Sequence, residues 1–296
     1  MKDARVVIVG LGLMGGSLAR ALRERGACRE VLAVTRREET VREAMRRGFI
    51  HWGTCDLAEG VGQTDLIVLA TPVRTILELI PQVGTLAPAG CVLMDVGSTK
   101  ARIVEAMEAL PSHLQAIGGH PMCGKEASGI EAAEADLYQG ATFVLTPLQR
   151  TSPEALTLAQ ELVEAVGARS LVMNAEHHDR LVAAVSHLPY LLSVGLVDTA
   201  EEVAAEDDLV WELAASGFRD TSRLAASDVT MMLDILLTNS QAVGEMLSRF
   251  VRQLDTIAHL LKTDDEEGLR SLMEQVRNFK VQSSKFKGQG SNEDNS

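Results

Sequence analysis

Over the first 173 residues, short apolar runs alternate with stretches of helical period. RVVIVG (5–10), EVLAVT (30–35), TDLIVLAT (64–71), GCVLMDV (90–96), LQAIGG (114–119) and GATFVLT (140–146) are continuous in apolar residues and closed by Gly, Thr or Asp. That is the pattern of parallel strands buried on both faces. Between them lie helical patterns such as GGSLARALRERG (15–26), with Leu18, Ala21 and Leu22 on one face, and EETVREAMRRG (38–48). The alternation predicts one doubly wound α/β sheet, which RSLVM (169–173) is expected to close.

After Asn174 the strand signal disappears and the chain reads as helix to about residue 282. The boundary is therefore expected between a first domain, 1–173, and an all-helical second domain, 174–282. From Val229 to Leu261 one long apolar stripe carries Met232, Ile235, Val243, Met246, Phe250, Leu254 and Ile257 at gaps near three and four, interrupted at Asn239. Met231, Leu233 and Leu237 fall off that stripe, and a homodimer interface is the simplest cover for them. The end of the chain, 283–296, is expected to be a disordered tail.

Composition narrows the partners. The 296 residues carry 28 Lys and Arg against 41 Asp and Glu, a net charge of -13, which opposes nucleic acid and anionic membrane surfaces. The four cysteines form no Cys-x-x-Cys pair, so neither a metal site nor a disulfide framework is suggested. MKDARVVIVG enters a strand directly, without a signal-peptide layout, and the expected setting is cytoplasmic with a small-molecule partner.

Gly10, Gly12 and Gly15 stand in G-x-G-x-x-G spacing around Leu13 and Met14, after a strand and before a helix. In that context the first glycine makes a tight turn and the second admits a pyrophosphate. The third packs helix on strand, and the helix start offers unpaired N–H donors. This is the fingerprint of a Rossmann-type dinucleotide site. At the end of the second strand an NAD site would carry Asp or Glu for the ribose hydroxyl; here Thr35, Arg36 and Arg37 stand instead. An arginine can hold a 2′-phosphate, so NADP is expected, with NAD the alternative. The bland reading is that Glu38 and Glu39 pair with these arginines. Thr71 and Pro72, in LATPV (69–73), are expected to line the cofactor crevice.

MDVGSTK (94–100) and GGHPMCG (118–124) both follow strands, on the sheet edge that would face a bound dinucleotide. His120 is the candidate base for a hydroxyl proton, and Ser98 the candidate partner of its imidazole or of that hydroxyl. A packed core histidine is the alternative for His120. His187 in AAVSHLPYLLSVG (183–195) precedes Pro189, which removes a helix bond to the Val185 carbonyl and kinks the helix. His187 either lines a pocket there or satisfies the freed backbone. Arg223 is a candidate for a substrate carboxylate. His177 and His178 read as a helix start and are taken as structural.

GLGLMGGSLA, DVGSTK, GGHPMCGKEASG, VSHLPY and SGFRDTSRLAASD, in this order, resemble the prephenate/arogenate dehydrogenase family of tyrosine biosynthesis over nearly the whole chain. The resemblance implies oxidative decarboxylation of a cyclohexadienol, with a helical dimerisation domain after the Rossmann domain. It implies that His120 is the base or hydrogen-bond partner at the ring hydroxyl, that Ser98 orients it, and that Arg223 binds a substrate carboxylate. It places His187 near nicotinamide and substrate. Many prephenate-using members read Ser-His-Leu-Pro-His, but here Tyr190 holds the last position, as the strand-end acid is also missing. Both departures are similar to NADP-dependent arogenate dehydrogenases, which yield tyrosine, CO2 and NADPH. Prephenate as substrate, giving 4-hydroxyphenylpyruvate, or acceptance of both, are the alternatives. More distant are the β-hydroxyacid or imine-reducing dehydrogenases, which share the first block, and a dinucleotide-sensing protein without chemistry.

Overall fold

A computed structural model describes residues 1–125 and 127–288, with side chains to 282. The chain begins with β1 (Arg5–Val9), α1 (Leu13–Glu24), β2 (Glu30–Val34), α2 (Glu38–Arg46), β3 (Trp52–Thr54) and α3 (Leu57–Val61). It continues through β4 (Leu66–Leu69), α4 (Val73–Leu86), β5 (Val92–Asp95), α5 (Ala101–Glu108), β6 (Gln115–Pro121), β7 (Thr142–Pro147), α6 (Pro153–Ala165) and β8 (Arg169–Val172). The eight strands form one sheet in the order β3-β2-β1-β4-β5-β6-β7-β8. Residues of one strand alternate between its two faces. Val6 and Ile8 pack with Leu18, Leu22 and Ile117 on one side, while Val7 and Val9 pack with Ile76, Ile80 and Ile103 on the other.

Two strands depart from the expected pattern. β3 is three residues long and half-exposed, too short to carry a periodic signal. β7, expected to be parallel, runs antiparallel to β6, with Gly119 opposite Leu145 and His120 opposite Val144. A parallel return needs a crossover, usually a helix, of a dozen or more residues. The link from Pro121 to Thr142 contains only a single turn of helix, Ile130–Ala132, so the chain doubles back. β8 then pairs parallel with β7 at the sheet edge.

Helices follow: α7 (Ala175–Val182), α8 (Leu188–Ala204), α9 (Ser216–Ser222), α10 (Val229–Thr238), α11 (Ser240–Lys262) and α12 (Glu266–Gly288). The long stripe read from 229 to 261 is thus two helices, because Asn239 leaves helical geometry at φ -123° and ψ 28°. α12 carries through 283–288, which the sequence assigned to the tail; residues 289–296 lie outside the described residues. By compactness the chain forms two units, Met1–Val243 and the remainder from Gly244, so the first reaches well past residue 174. α7 and α10 belong to it through hydrogen bonds described below. Ala175–Ala204 is also long and apolar enough, by composition alone, to cross a membrane. Within it, however, Asp179 and His187 are buried and hydrogen-bonded.

Candidate active site

The glycine turn is built as a cradle. Gly10 adopts φ +98°, and a Cβ there would stand 2.8 Å from the Ala70 carbonyl oxygen, so the position excludes a side chain. A Cβ on Gly15 would come within 1.9 Å of the Gly10 oxygen, which brings the start of α1 hard against β1. Gly12 faces open space, with nothing within 4 Å of the position its Cβ would take. The first helical bond runs from Gly16 N–H to Gly12 O at 2.8 Å. The N–H groups before it, including those of Leu13 and Met14, have no intrahelical acceptor, and no side chain caps them. Thr71 Oγ1, in the loop after β4, is buried without a hydrogen-bond partner. Unpaired donors on one side and an orphaned hydroxyl on the other fit a dinucleotide pyrophosphate. Pro72 directly precedes α4 at this edge.

At the end of β2, Thr35 is buried and donates to the Arg37 carbonyl at 2.8 Å, which shapes the turn into α2. Arg36 and Arg37 are exposed, and neither forms an ion pair among the described residues. Glu38 is engaged by Arg42 at 2.7 Å instead.

The catalytic edge is assembled from the ends of β5 and β6. Asp95 and Lys100 are fully buried and paired, and Lys100 Nζ also donates to the Gly119 carbonyl at 2.7 Å. Asp95 accepts in turn from Gly97 N–H at 2.7 Å and Gly119 N–H at 3.1 Å. Burial pushes the Lys100 ammonium down and the Asp95 carboxyl up, each opposed by the attraction of the other. This explains the two glycines before His120. A Cβ on Gly119 would meet the Asp95 carbonyl oxygen at 2.5 Å, and one on Gly118 the Thr146 hydroxyl at 2.2 Å. Only bare backbone passes here, and it delivers His120 to the strand end.

His120 Nδ1 lies 2.8 Å from His178 Nε2, and His178 Nδ1 lies 2.8 Å from Asp179 Oδ1. Asp179 also accepts from the Lys100 N–H at 2.7 Å and the Ala101 N–H at 2.9 Å, and so caps α5 from another helix. Burial first, then His178, Lys100 and His187, holds the His120 imidazolium well below 6.5. The ring is therefore neutral at pH 7, able to accept a proton. Sequence reasoning missed His178, reading it as part of a helix start. Nothing in its local pattern marks it, since the contact bridges 58 residues.

His187 is 1% exposed, and its Nδ1 lies 3.2 Å from Asn239 Nδ2, which also donates to the Asp179 carbonyl at 2.8 Å. Burial, with His178 assisting and Asp179 opposing, pushes its pKa down to about 4. Just before Pro189 the helix widens into a π-turn over Ala183–His187, whose closing bond runs from Leu188 N–H to Ala183 O. The His187 ring is engaged by Asn239 rather than by the Val185 carbonyl among the described residues. Tyr190, half-buried, sits in the first turn of α8. Arg223 is exposed and opens a short helical turn, Arg223–Ala226, that packs against α8. Ser98 makes no side-chain hydrogen bond among the described residues, and His120 Nδ1 is engaged by His178 instead. Ser98 is partly buried, and the next residue, Thr99, meets the Thr238 hydroxyl at 2.8 Å. No group of three or more metal-ligating side chains occurs among the described residues.

A family model described as prephenate dehydrogenase, nucleotide-binding domain, matches residues 18–172, and one described as prephenate dehydrogenase, dimerization domain, matches 174–275. The chain is 34% identical to a prephenate dehydrogenase of Lactococcus lactis subsp. cremoris over 93% of this chain and 76% of that protein. A crystal structure of prephenate dehydrogenase from Aquifex aeolicus with hydroxyphenyl propionate and NAD+ superposes with a TM-score of 0.88 at 31% identity. That match covers 95% of this chain and 99% of the other. Synechocystis arogenate dehydrogenase superposes with a TM-score of 0.83 at 32% identity, covering 94% and 99%.

Proposed function

The chain belongs to the prephenate dehydrogenase family, oxidoreductases that use a nicotinamide dinucleotide, and from that premise we propose that it converts arogenate to tyrosine with NADP. The observation that carries the reading is His120, neutral and held through Nδ1, near the end of β6 on the same carboxyl edge of the sheet as the glycine cradle after β1. When bound, the nicotinamide supplies the hydride acceptor. His120 takes the proton of the ring hydroxyl as hydride leaves the same carbon; CO2 departs from the ring carboxylate and the ring becomes aromatic. Ser98, without a side-chain hydrogen bond among the described residues, is available to that hydroxyl. Arg223 offers a planar pair of donors to a substrate carboxylate.

Two features favour the finer reading. Arg36 and Arg37 are not neutralised by Glu38, and no acid stands at the end of β2 to repel a 2′-phosphate. Tyr190 places a phenol hydroxyl where prephenate-using members read histidine, which suits an amino acid side chain over a keto acid. The active form is taken to be a cytoplasmic homodimer joined through the helical domain. A steady-state grid of arogenate and prephenate, each with NAD and NADP, tests the reading. The largest kcat/KM is expected for arogenate with NADP; a larger value with NAD defeats the cofactor assignment, and one with prephenate the substrate assignment.

A further inference from the structure

We propose that His178 and Asp179 are positioning residues that fix the tautomer of His120 and leave its Nε2 bare as the proton acceptor, an inference that rests on His120 being the base. Both oxygens of Asp179 accept backbone N–H groups, from Lys100 and Ala101, at the amino end of α5, where the helix dipole favours a negative group. With those oxygens acting as acceptors, His178 Nδ1, 2.8 Å from Oδ1, is the donor. In its neutral form a ring that donates through Nδ1 carries no second N–H, so His178 Nε2 then presents a lone pair. His120 Nδ1, 2.8 Å away, therefore donates, and its own lone pair lies on Nε2.

Ring geometry agrees. The two centroids are 5.0 Å apart with the planes at 77°, the separation reached when both nitrogens lie on the line between rings. The contact is a bond through ring edges and not a stack. The opposite tautomer would set two lone pairs or two N–H groups face to face in a buried site, a penalty of tenfold or more in population. His120 Nε2 has no hydrogen-bond partner among the described residues. When it takes a proton there, the new imidazolium keeps its Nδ1–H on His178, one ring removed from the Asp179 carboxylate.

Two substitutions separate positioning from mere packing. His178→Gln can place an amide oxygen near the former Nε2 and still accept from His120 Nδ1, whereas His178→Asn reaches only toward Asp179. Long-range 15N–1H spectra of histidine-labelled enzyme, with the His120 signals assigned by their loss in His120→Asn, read the tautomer without turnover. The wild type and His178→Gln should hold His120 as the Nδ1–H form, and His178→Asn should not. In turnover, His178→Asn should lose kcat about a hundredfold with KM changed less than about threefold. His178→Gln should stay within about tenfold of wild type. An Nε2–H tautomer in the wild type, or equal kcat in the two variants, overturns the proposal. If the wild type turns over neither cyclohexadienol, the functional reading fails, while the tautomer measurement still decides this one.

Discussion

His120 gains its reactivity from what surrounds it more than from what it is. Because the imidazolium is held well below 6.5, the acid limb of kcat should lie below that value, with activity flat from pH 7 down to it. A limb centred at or above 6.5 would contradict the partly buried, neutral ring. His120→Asn should lower kcat by about three to four powers of ten while leaving the NADP dissociation constant, read by fluorescence titration, nearly unchanged. His187 makes a different prediction, on stability. Its folded pKa, about 4, lies below the unfolded value, so as pH falls from 6.5 the unfolded chain binds a proton that the folded one does not. Stability is complete above that window and is lost through it, by about 3 kcal/mol from this group. Thermal melts at pH 7 and pH 5 should show a smaller drop in His187→Gln than in wild type. The candidates His120 and His187 were legible because strand ends and a proline punctuate the sequence around them. His178 was not, because its meaning lies in a ring 58 positions away.

Elements carry the next layer. Apolar runs identified seven of the eight strands, but β3 was too short to show a period, and direction is not written in a run of Val and Leu. The orientation of β7 follows from the link before it, whose glycines and small residues build no crossover helix. At the other end of the site, the π-turn absorbs Pro189, and the break at Asn239 turns an apparent helical fault into a contact. Asn239 Nδ2 serves the Asp179 carbonyl and His187 together. Asn239→Ala should therefore cost about 1–3 kcal/mol in a denaturant titration, because buried acceptors lose their donor. It should also raise KM more than it lowers kcat, since it frees His187 and leaves the His120 contacts in place. A variant with wild-type stability and KM would show that the amide bonds only solvent-exposed groups.

For the whole molecule, apolar surface is the feature that composition could not place. Val185 is 70% exposed, Val203 49% and Leu213 81%, large apolar side chains left in water along the helical region that a second copy of the chain can cover. Light scattering should give twice the 31.9 kDa chain mass, and Val185→Glu combined with Leu213→Glu should shift the protein toward the monomer. A wild-type monomer at micromolar concentration would refute the homodimer. The change of pattern at Asn174 was plain in the sequence, yet the compact unit runs on to Val243. Asp179 on α7 caps α5, Asp234 on α10 holds Arg74 at 2.5 Å, and Thr238 meets Thr99 at 2.8 Å. These links give the boundary at 174 an evolutionary meaning. A recombination that joined a foreign dinucleotide-binding sheet to the chain at residue 174 would leave α7 and α10 facing strangers. The two family models meet at that residue, and the hydrogen bonds from α7 and α10 to the sheet domain are what knit the chain across it.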